Sequence, residues 1–513
     1  MEKQSILDEL SVLAQFFPSE EKVEWKRWET GFSAEIDVLY VYGFSPYIEP
    51  LLEWLKGDIK RELVFLEDRM EVIRQIEGEI LEGPQVHFKF CLGDVEEFIG
   101  EVVQGFPFEK IDAVCLHDNQ ERFAEIRKLL FRKTTLEEAV HSEMIHYHKL
   151  AKNLLPNFKR LNSAFDVGAW KDQFKGVPAI VCGAGPSLEM VQEELKGMEE
   201  KALIFAGGST ITALTNLGIK PHLLYAIDPN REEFTRLCFH TAYDVPLVFG
   251  CRVEPNIFYA HAGPIGYLST GTGGRLEKWL EGELGIQDRA VLKGLGEEAL
   301  SVTTIAFMSA LYFGCNPIIL AGVDLAYDQG RRYAGGVEFE NVVSKKVGDL
   351  VLEEEGITTM TKWLMERDVL DDVCKLYPDR KFIKATSKGL PFKNIPFDPD
   401  WHKLTETFDL RGKIHDLVMQ APLNVNLEGQ LLKFFESLKR CKTLIEKLLI
   451  ATTTTLLELD LEDEIAFQIA LKPAFYALTF HVRRKKRGAS DDDIQKELYR
   501  HLQAIIEQYL ILC

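Results

Sequence analysis

Short apolar runs alternate with amphipathic stretches over most of the chain, and the alternation changes character near residue 400. In the first part, runs at 36–43, 62–66, 86–90 and 111–116 are rich in Val, Ile, Leu, Phe and Tyr, and a helical pattern at 48–55 follows the first of them. Uninterrupted apolar strands separated by helices predict a parallel sheet covered on both faces. The first ~30 residues read as polar and helical. A longer helical pattern over 129–155 predicts a bridge into the next part of the chain. It carries His141, His146 and His148, whose spacing and lack of a nearby Cys predict packed or solvated histidines rather than metal ligands.

From about 177 to 400 the same alternation resumes, with strands expected at 178–182, 202–206, 223–227, 246–250, 257–260 and 316–324. Beyond 400 the strands cease. Amphipathic patterns at 427–459, 464–484 and 491–510 predict helices, and Asp491-Asp492-Asp493 suits the start of the last one. The expected fold class is therefore α/β: a Rossmann-like N-terminal domain with its bridging helix over 1–165, a central Rossmann-like α/β domain over 166–405, and a helical C-terminal domain over 406–513. The run Arg483-Arg484-Lys485-Lys486-Arg487 precedes an acidic stretch and reads as a solvated turn.

Composition narrows the choices. The 513 residues are too many for one core, and 46% hydrophobic residues supply several. Sixty basic against eighty acidic residues give a net charge of −20, which disfavours nonspecific binding to nucleic acid or anionic membranes. No apolar run approaches the roughly 20 residues of a membrane span, and Met1-Glu2-Lys3-Gln4-Ser5 lacks the start of a secretory signal. A cytoplasmic protein is expected. The nine cysteines are scattered without a C-x-x-C pair, as reduced thiols would be.

Candidate chemistry gathers at strand ends, where open α/β sheets bind ligands. Gly183-Ala184-Gly185-Pro186-Ser187-Leu188 follows an apolar strand. Its glycines permit a tight turn, Ser187 is placed to cap the next helix, and free N–H groups there would attract a phosphate. Asp228-Pro229-Asn230 ends another strand, and Asp324 a third. Ser269-Thr270-Gly271-Thr272-Gly273-Gly274 is a hydroxyl-rich loop able to wrap a phosphate or sugar. In the first domain the strand ending on Glu67-Asp68 and the turn Gly43-Phe44-Ser45-Pro46 make a poor nucleotide fingerprint.

Several linked motifs then point one way. The Gly183 to Leu188 turn matches a G-x-G-P-S-L element, and Ala213-Leu214 with Gly218-Ile219-Lys220-Pro221 and Asp228 matches A-L-x-x-x-G-I-x-P…D. Gly314-Cys315-Asn316-Pro317 leading to Gly322-Val323-Asp324-Leu325-Ala326-Tyr327 matches G-x-x-P…G-Q-D-L-A-Y, and Ala385-Thr386-Ser387-Lys388-Gly389 stands at an N-x-T-E-G-G turn. In this the central region resembles the MptE-like family that joins Maf (motility accessory factor) flagellin glycosyltransferases to archaeal 6-hydroxymethylpterin diphosphokinases. The two flanking domains resemble Maf proteins. Val323 replaces a Gln, Leu300 a Gly before Ser301-Val302, and Arg332-Tyr333-Ala334 an S-H-A triplet, so a histidine is missing; Tyr327, Tyr333, His222 and His261 are its candidate substitutes.

The resemblance implies a sialyltransferase-like central domain and a glycosyltransferase that moves a sugar, a nonulosonic acid among the options, from a nucleotide-activated donor, CMP-linked among the options, to a Ser or Thr hydroxyl of a protein. Asp324, Asp228 and Tyr327 are its expected catalytic residues. Gly183, Gly185, Pro186, Ser187, Asn230, Thr270, Gly271, Thr272, Gly273, Ser301 and Thr386 are expected to hold the donor, with no metal ligands. The alternatives are a magnesium-dependent diphosphokinase acting on a hydroxymethylpterin, with Asp228 and Asp324 on the metal, and a non-catalytic nucleotide-binding or scaffold protein.

Overall fold

The computed structural model describes residues 33, 35–45, 47, 49–69, 72, 85–91, 93–108, 110–270, 273–286, 301–337, 347–423, 425, 427–451, 455–486 and 488–512. The fold is mixed α/β, with parallel sheets and a helical C-terminal part. The expectation of a polar helix near the start lies outside the described residues.

Contacts divide the chain into two compact units. The first comprises Met1–Glu143, Val342–Leu350 and Phe480–Ser490. It holds strands β1 (Val38–Tyr42), β2 (Glu62–Glu67), β3 (Val86–Phe90) and β4 (Ile111–Cys115), all parallel in the order β3-β2-β1-β4. Every residue of β1 is buried because helices cover both faces. Val38, Tyr40 and Tyr42 pack with Ile99 and Val102 of the helix Val95–Gln104. Leu39 and Val41 point the other way, into Leu51, Trp54 and Leu55 of the helix Glu49–Lys56, as the two-residue period of a strand requires. Arg484 belongs to this unit too: it lies over the Phe108 ring at 3.9 Å and pairs with Asp37 at 3.2 Å, so this part of the basic run is packed rather than a solvated turn.

The second unit comprises Met144–Asn341, Val351–Thr479 and Asp491–Cys513. Its eight-stranded sheet contains β5 (Ala164–Asp166), β6 (Ala179–Cys182), β7 (Leu203–Gly207), β8 (Leu223–Ala226), β9 (Leu247–Phe249), β10 (Ile265–Tyr267), β11 (Ile318–Ala321) and β14 (Phe382–Lys384). The order is β14-β11-β6-β7-β8-β9-β10-β5, and every pairing is parallel. An antiparallel hairpin of β12 (Val351–Glu354) and β13 (Ile357–Met360) stands apart. Trp170, Phe174, Phe205, Tyr225, Phe307 and Phe313 fill the core on one face. The helix Val302–Tyr312 is apolar nearly all round and buried in that core, as such helices must be. It approaches β7 so closely that a Cβ at Gly207 would lie 1.7 Å from Val302 Cγ1.

One expected strand is not a strand. Residues Pro255–Tyr259 form a 3-10 helix, opened by Pro255 and by the Glu254 carboxylate accepting the Asn256 N–H at 3.2 Å. A short apolar run reads alike in either conformation, and this local cap decides it. The strands β5, β10 and β14, three residues each, are not among the expected strands. The helical pattern at 427–459 resolves into Glu428–Leu448 and Thr455–Glu462, and that at 464–484 into a π-helical turn Phe467–Leu471 followed by Lys472–Lys485. Among the described residues no single helix is long and apolar enough to cross a membrane; a pair of helices bent by 88°, Thr455–Glu462 with Phe467–Lys485, meets the length and composition only when joined. All the described cysteines are free thiols.

Candidate functional site

Because every strand of the large sheet runs the same way, the residues that follow β6, β8, β11 and β14 share one edge. Strands β7 to β10 spread from β6 to one side and β11 and β14 to the other, so the strand order reverses between β6 and β11. Ligands of open α/β sheets bind at such a reversal.

The glycine turn meets the end of β11 there. Gly183 N–H donates to Ala321 O at 2.7 Å and Gly185 N–H to Gly322 O at 2.8 Å. A Cβ on Gly183 would stand 2.5 Å from Gly322 O, and one on Gly185 would stand 2.6 Å from both Gly322 O and Asp324 Oδ2. The glycines thus let two backbones touch. Ser187 caps nothing: the helical turn Pro186–Val191 is 3-10 and starts without a side-chain cap. Its N–H instead donates to Asp324 Oδ2 at 2.8 Å, its hydroxyl donates to Asp324 Oδ1, and Thr386 donates to the Ser187 hydroxyl at 3.1 Å. A carboxylate of the chain itself, only 4% exposed, is the anion at this turn. Lys384 is buried nearby, donates to Leu390 O at 2.8 Å, and burial lowers its pKa to about 8 against the opposing pull of Asp324.

Asp228, after β8, is different. Its Oδ1 accepts from Asn230 N and Nδ2 at 2.9 and 2.8 Å, and its Oδ2 lies 3.4 Å from Arg236 Nη1. The same guanidinium nitrogen is 3.2 Å from Glu233 Oε2. Glu233 is 1% exposed, and burial, with Asp228 adding to it, raises its carboxyl to about 7. The Asp228 side chain keeps 31% of its surface open. From the helix Gln120–Phe158, Asn153 donates to Pro229 O at 2.9 Å and Asn157 to Cys251 O at 2.9 Å, which fixes the loops after β8 and β9.

The hydroxyl-rich loop is described only in part, since Gly271 and Thr272 lie outside the described residues. Thr270 is buried, and the Gly273 N–H donates to Glu277 Oε2 at 2.8 Å. Tyr147 donates to Gly273 O and accepts from Leu276 N at 3.1 Å. Glu277 and Glu281 sit one turn apart on the buried face of the helix Gly274–Leu284, Tyr267 donates to Glu281, and burial is the main cause pushing both carboxyls up. The Gly273 donor expected for a phosphate is therefore turned toward a carboxylate.

Other candidates fall as follows. Ser301 caps the helix Val302–Tyr312 by accepting from Thr304 N at 3.0 Å, and its hydroxyl donates to Glu366. Tyr327 packs on the Trp363 ring, centroids 5.1 Å apart. Arg332 lies against Tyr333 and Trp363, 4.9 and 5.5 Å from the ring centres, and Ala334 N–H donates to Ala184 O at 2.8 Å, which ties this loop to the glycine turn. His222 and His261 precede β8 and β10, so a parallel sheet sets them at the opposite edge. Burial lowers their pKa to about 3 and about 4, and neither is placed to act beside Asp228. In the first unit Glu67 is taken by Arg69, Oε1 to Nε and Oε2 to Nη2 both 3.0 Å. Sequence reading passed over Glu233, Arg236, Glu277, Glu281, Lys384 and Trp363. Acidic residues at i and i+4 inside an otherwise apolar helix face, as at Glu277 and Glu281, are a legible sign of buried carboxyls.

No curated protein matches this chain. Among solved structures it is similar to that of a Maf glycosyltransferase from Magnetospirillum magneticum AMB-1, with 14% identity and a TM-score of 0.49, covering 93% of this chain and 78% of that one. A family 9 glycosyl transferase from Veillonella parvula DSM 2008 matches at 11% identity and a TM-score of 0.15, covering 55% of this chain and 98% of that one. Residues 152–330, which carry the glycine turn, Asp228 and Asp324, match the family model described as 6-hydroxymethylpterin diphosphokinase MptE-like, so this central part of the chain is similar to that family.

Proposed function

We propose that this chain is a glycosyltransferase that moves a sugar from a nucleotide-activated donor to a Ser or Thr hydroxyl of a protein, at the edge formed by the ends of β6, β8 and β11. The observation that carries the reading is the state of the two aspartates. Asp324 has both oxygens filled by Ser187, whereas Asp228 is oriented by Asn230 and Arg236 and keeps an open face. Asp228 is thus the carboxylate able to meet a substrate hydroxyl. In the transfer the acceptor O–H proton passes to Asp228, and the acceptor oxygen bonds to the anomeric carbon. The bond from that carbon to the donor phosphate breaks, and the nucleotide leaves with the electron pair. Asn230 and Arg236 hold the carboxylate in place while this happens.

The family description favours a second reading, diphosphate transfer to a pterin alcohol. That chemistry needs magnesium held by hard oxygens. The residues present fit it poorly: the nearest partner of Asp228 other than Asn230 is a cation, and Asp324 is already engaged. Among the described residues the metal-like group of side chains is Glu67, Asp68 and His117, which belongs to the other unit.

The test is a thermal-shift screen with CMP, CDP, UDP, GDP and ATP, with and without magnesium, because a ligand of the folded state raises the melting point. A metal-independent shift supports glycosyl transfer. A shift seen only with ATP and magnesium supports the diphosphokinase, and no shift with any nucleotide leaves a scaffold role. Once a donor is found, Asp228→Asn should stop transfer of its labelled sugar to protein acceptors; undiminished transfer would remove Asp228 from the mechanism.

A further inference from the structure

We infer that Arg332, held between Tyr333 and Trp363, is an oxyanion-binding residue that receives the carboxylate or phosphate of the ligand bound at Asp228. The inference rests on the reading of that edge given above.

Three cations at this edge are occupied. Arg236 holds Asp228 and Glu233, Arg331 lies 3.5 Å from Glu189 and 4.0 Å from Asp328, and Lys384 donates to backbone carbonyls. Arg332 has no ion pair among the described residues, and its Nε, out of reach of solvent, has no hydrogen-bond partner. A buried N–H left in that state is costly unless something supplies the missing acceptor. The guanidinium carbon lies over two rings, 4.9 Å from the centre of Tyr333 and 5.5 Å from that of Trp363, and Tyr327 packs on Trp363 with ring centroids 5.1 Å apart. A planar fork held this way suits two-point recognition of a carboxylate or phosphate better than an ammonium would.

The placement is specific. The Ala334 N–H donates to Ala184 O at 2.8 Å, which ties the loop that carries Arg332 to the glycine turn. The glycine turn after β6, to which this loop is tied, and Asp228 after β8 stand at the same edge of the sheet. A ligand spanning Arg332 and Asp228 must carry an anionic group at one end and hydroxyls at the other, as a nucleotide-activated sugar does. The anion has two possible sources, the nucleotide phosphate or the carboxylate of an acidic sugar.

The test uses the full chain and reads equilibrium binding by calorimetry. One arm compares the 5′-monophosphates of cytidine, uridine, guanosine and adenosine with their uncharged nucleosides. The other compares N-acetylneuraminic acid with its methyl ester. Arg332→Gln should weaken the charged member of one arm on the order of tenfold or more and leave its neutral counterpart unchanged; the arm that responds names the source. Arg332→Lys should recover part of the loss, and Arg331→Gln should have no effect. If the wild-type protein binds a charged ligand and Arg332→Gln binds it equally well, this inference fails while the reading of Asp228 stands. If the wild-type protein binds none of them, both fail.

Discussion

Ser187 and Asp324, 137 residues apart in the chain, share two hydrogen bonds, one from the Ser187 N–H at 2.8 Å and one from its hydroxyl. The pair closes the point where the strand order of the large sheet reverses. The turn most readily taken for a phosphate cradle is thereby a backbone crossing, pinned by a buried carboxylate.

Breaking that crossing should cost stability before it costs anything else. Ser187→Ala leaves Asp324 with one unsatisfied oxygen at 4% exposure, a loss of about 1–3 kcal/mol. Urea unfolding should give a lower midpoint with an unchanged slope. An unchanged midpoint accompanied by weaker nucleotide binding would instead assign Ser187 to the ligand.

Gly185→Ala should be worse than its size suggests. The new Cβ would meet Gly322 O and Asp324 Oδ2, each at 2.6 Å, and neither can retreat, since one is backbone and the other is held by Ser187. A destabilisation of about 1–3 kcal/mol is expected from the forced shift. A melting temperature equal to that of the parent would show that the two turns are not in contact.

Asp228→Asn should leave the melting temperature close to that of the wild type, because the side chain is partly open and the carboxamide oxygen can still accept from Asn230. The nucleotide-dependent shift should persist, while sugar transfer is lost. A large drop in stability would recast Asp228 as a structural partner of Arg236.

Glu277 and Glu281 make stability depend on pH in a definite direction. Burial, with Glu281 as the second cause, raises the Glu277 carboxyl, so the folded chain keeps a proton that the unfolded chain has released. That contribution is full below the ordinary glutamate range and is lost as pH rises toward the folded value. The unfolding free energy, and with it the melting temperature, should therefore fall between about pH 5 and about pH 8, the free energy by up to about 1.4 kcal/mol per pH unit for one proton. Glu277→Gln keeps an acceptor for Gly273 N–H and should flatten the fall; an identical slope in that variant would place the proton elsewhere.

How much of this was legible follows from the range of the forces involved. The apolar runs at 62–66, 86–90 and 223–227 already specified strands, and the tri-aspartate at 491 marked the start of the helix Asp491–Leu510, because periodicity and end charges act within a few residues. The polar strand ends at Asp228 and Asp324 were visible for the same reason. What the sequence alone left open was decided by pairing across the sheet. Only the register of β6 against β11 brings Ser187 to Asp324, and only the path of the loop after β11 lays Arg332 beside Tyr333 and Trp363. The chain pattern determined which segments are strands and helices; the tertiary structure determined which of their ends meet, since a hydrogen bond between residues 137 positions apart leaves no trace in the local spacing of either.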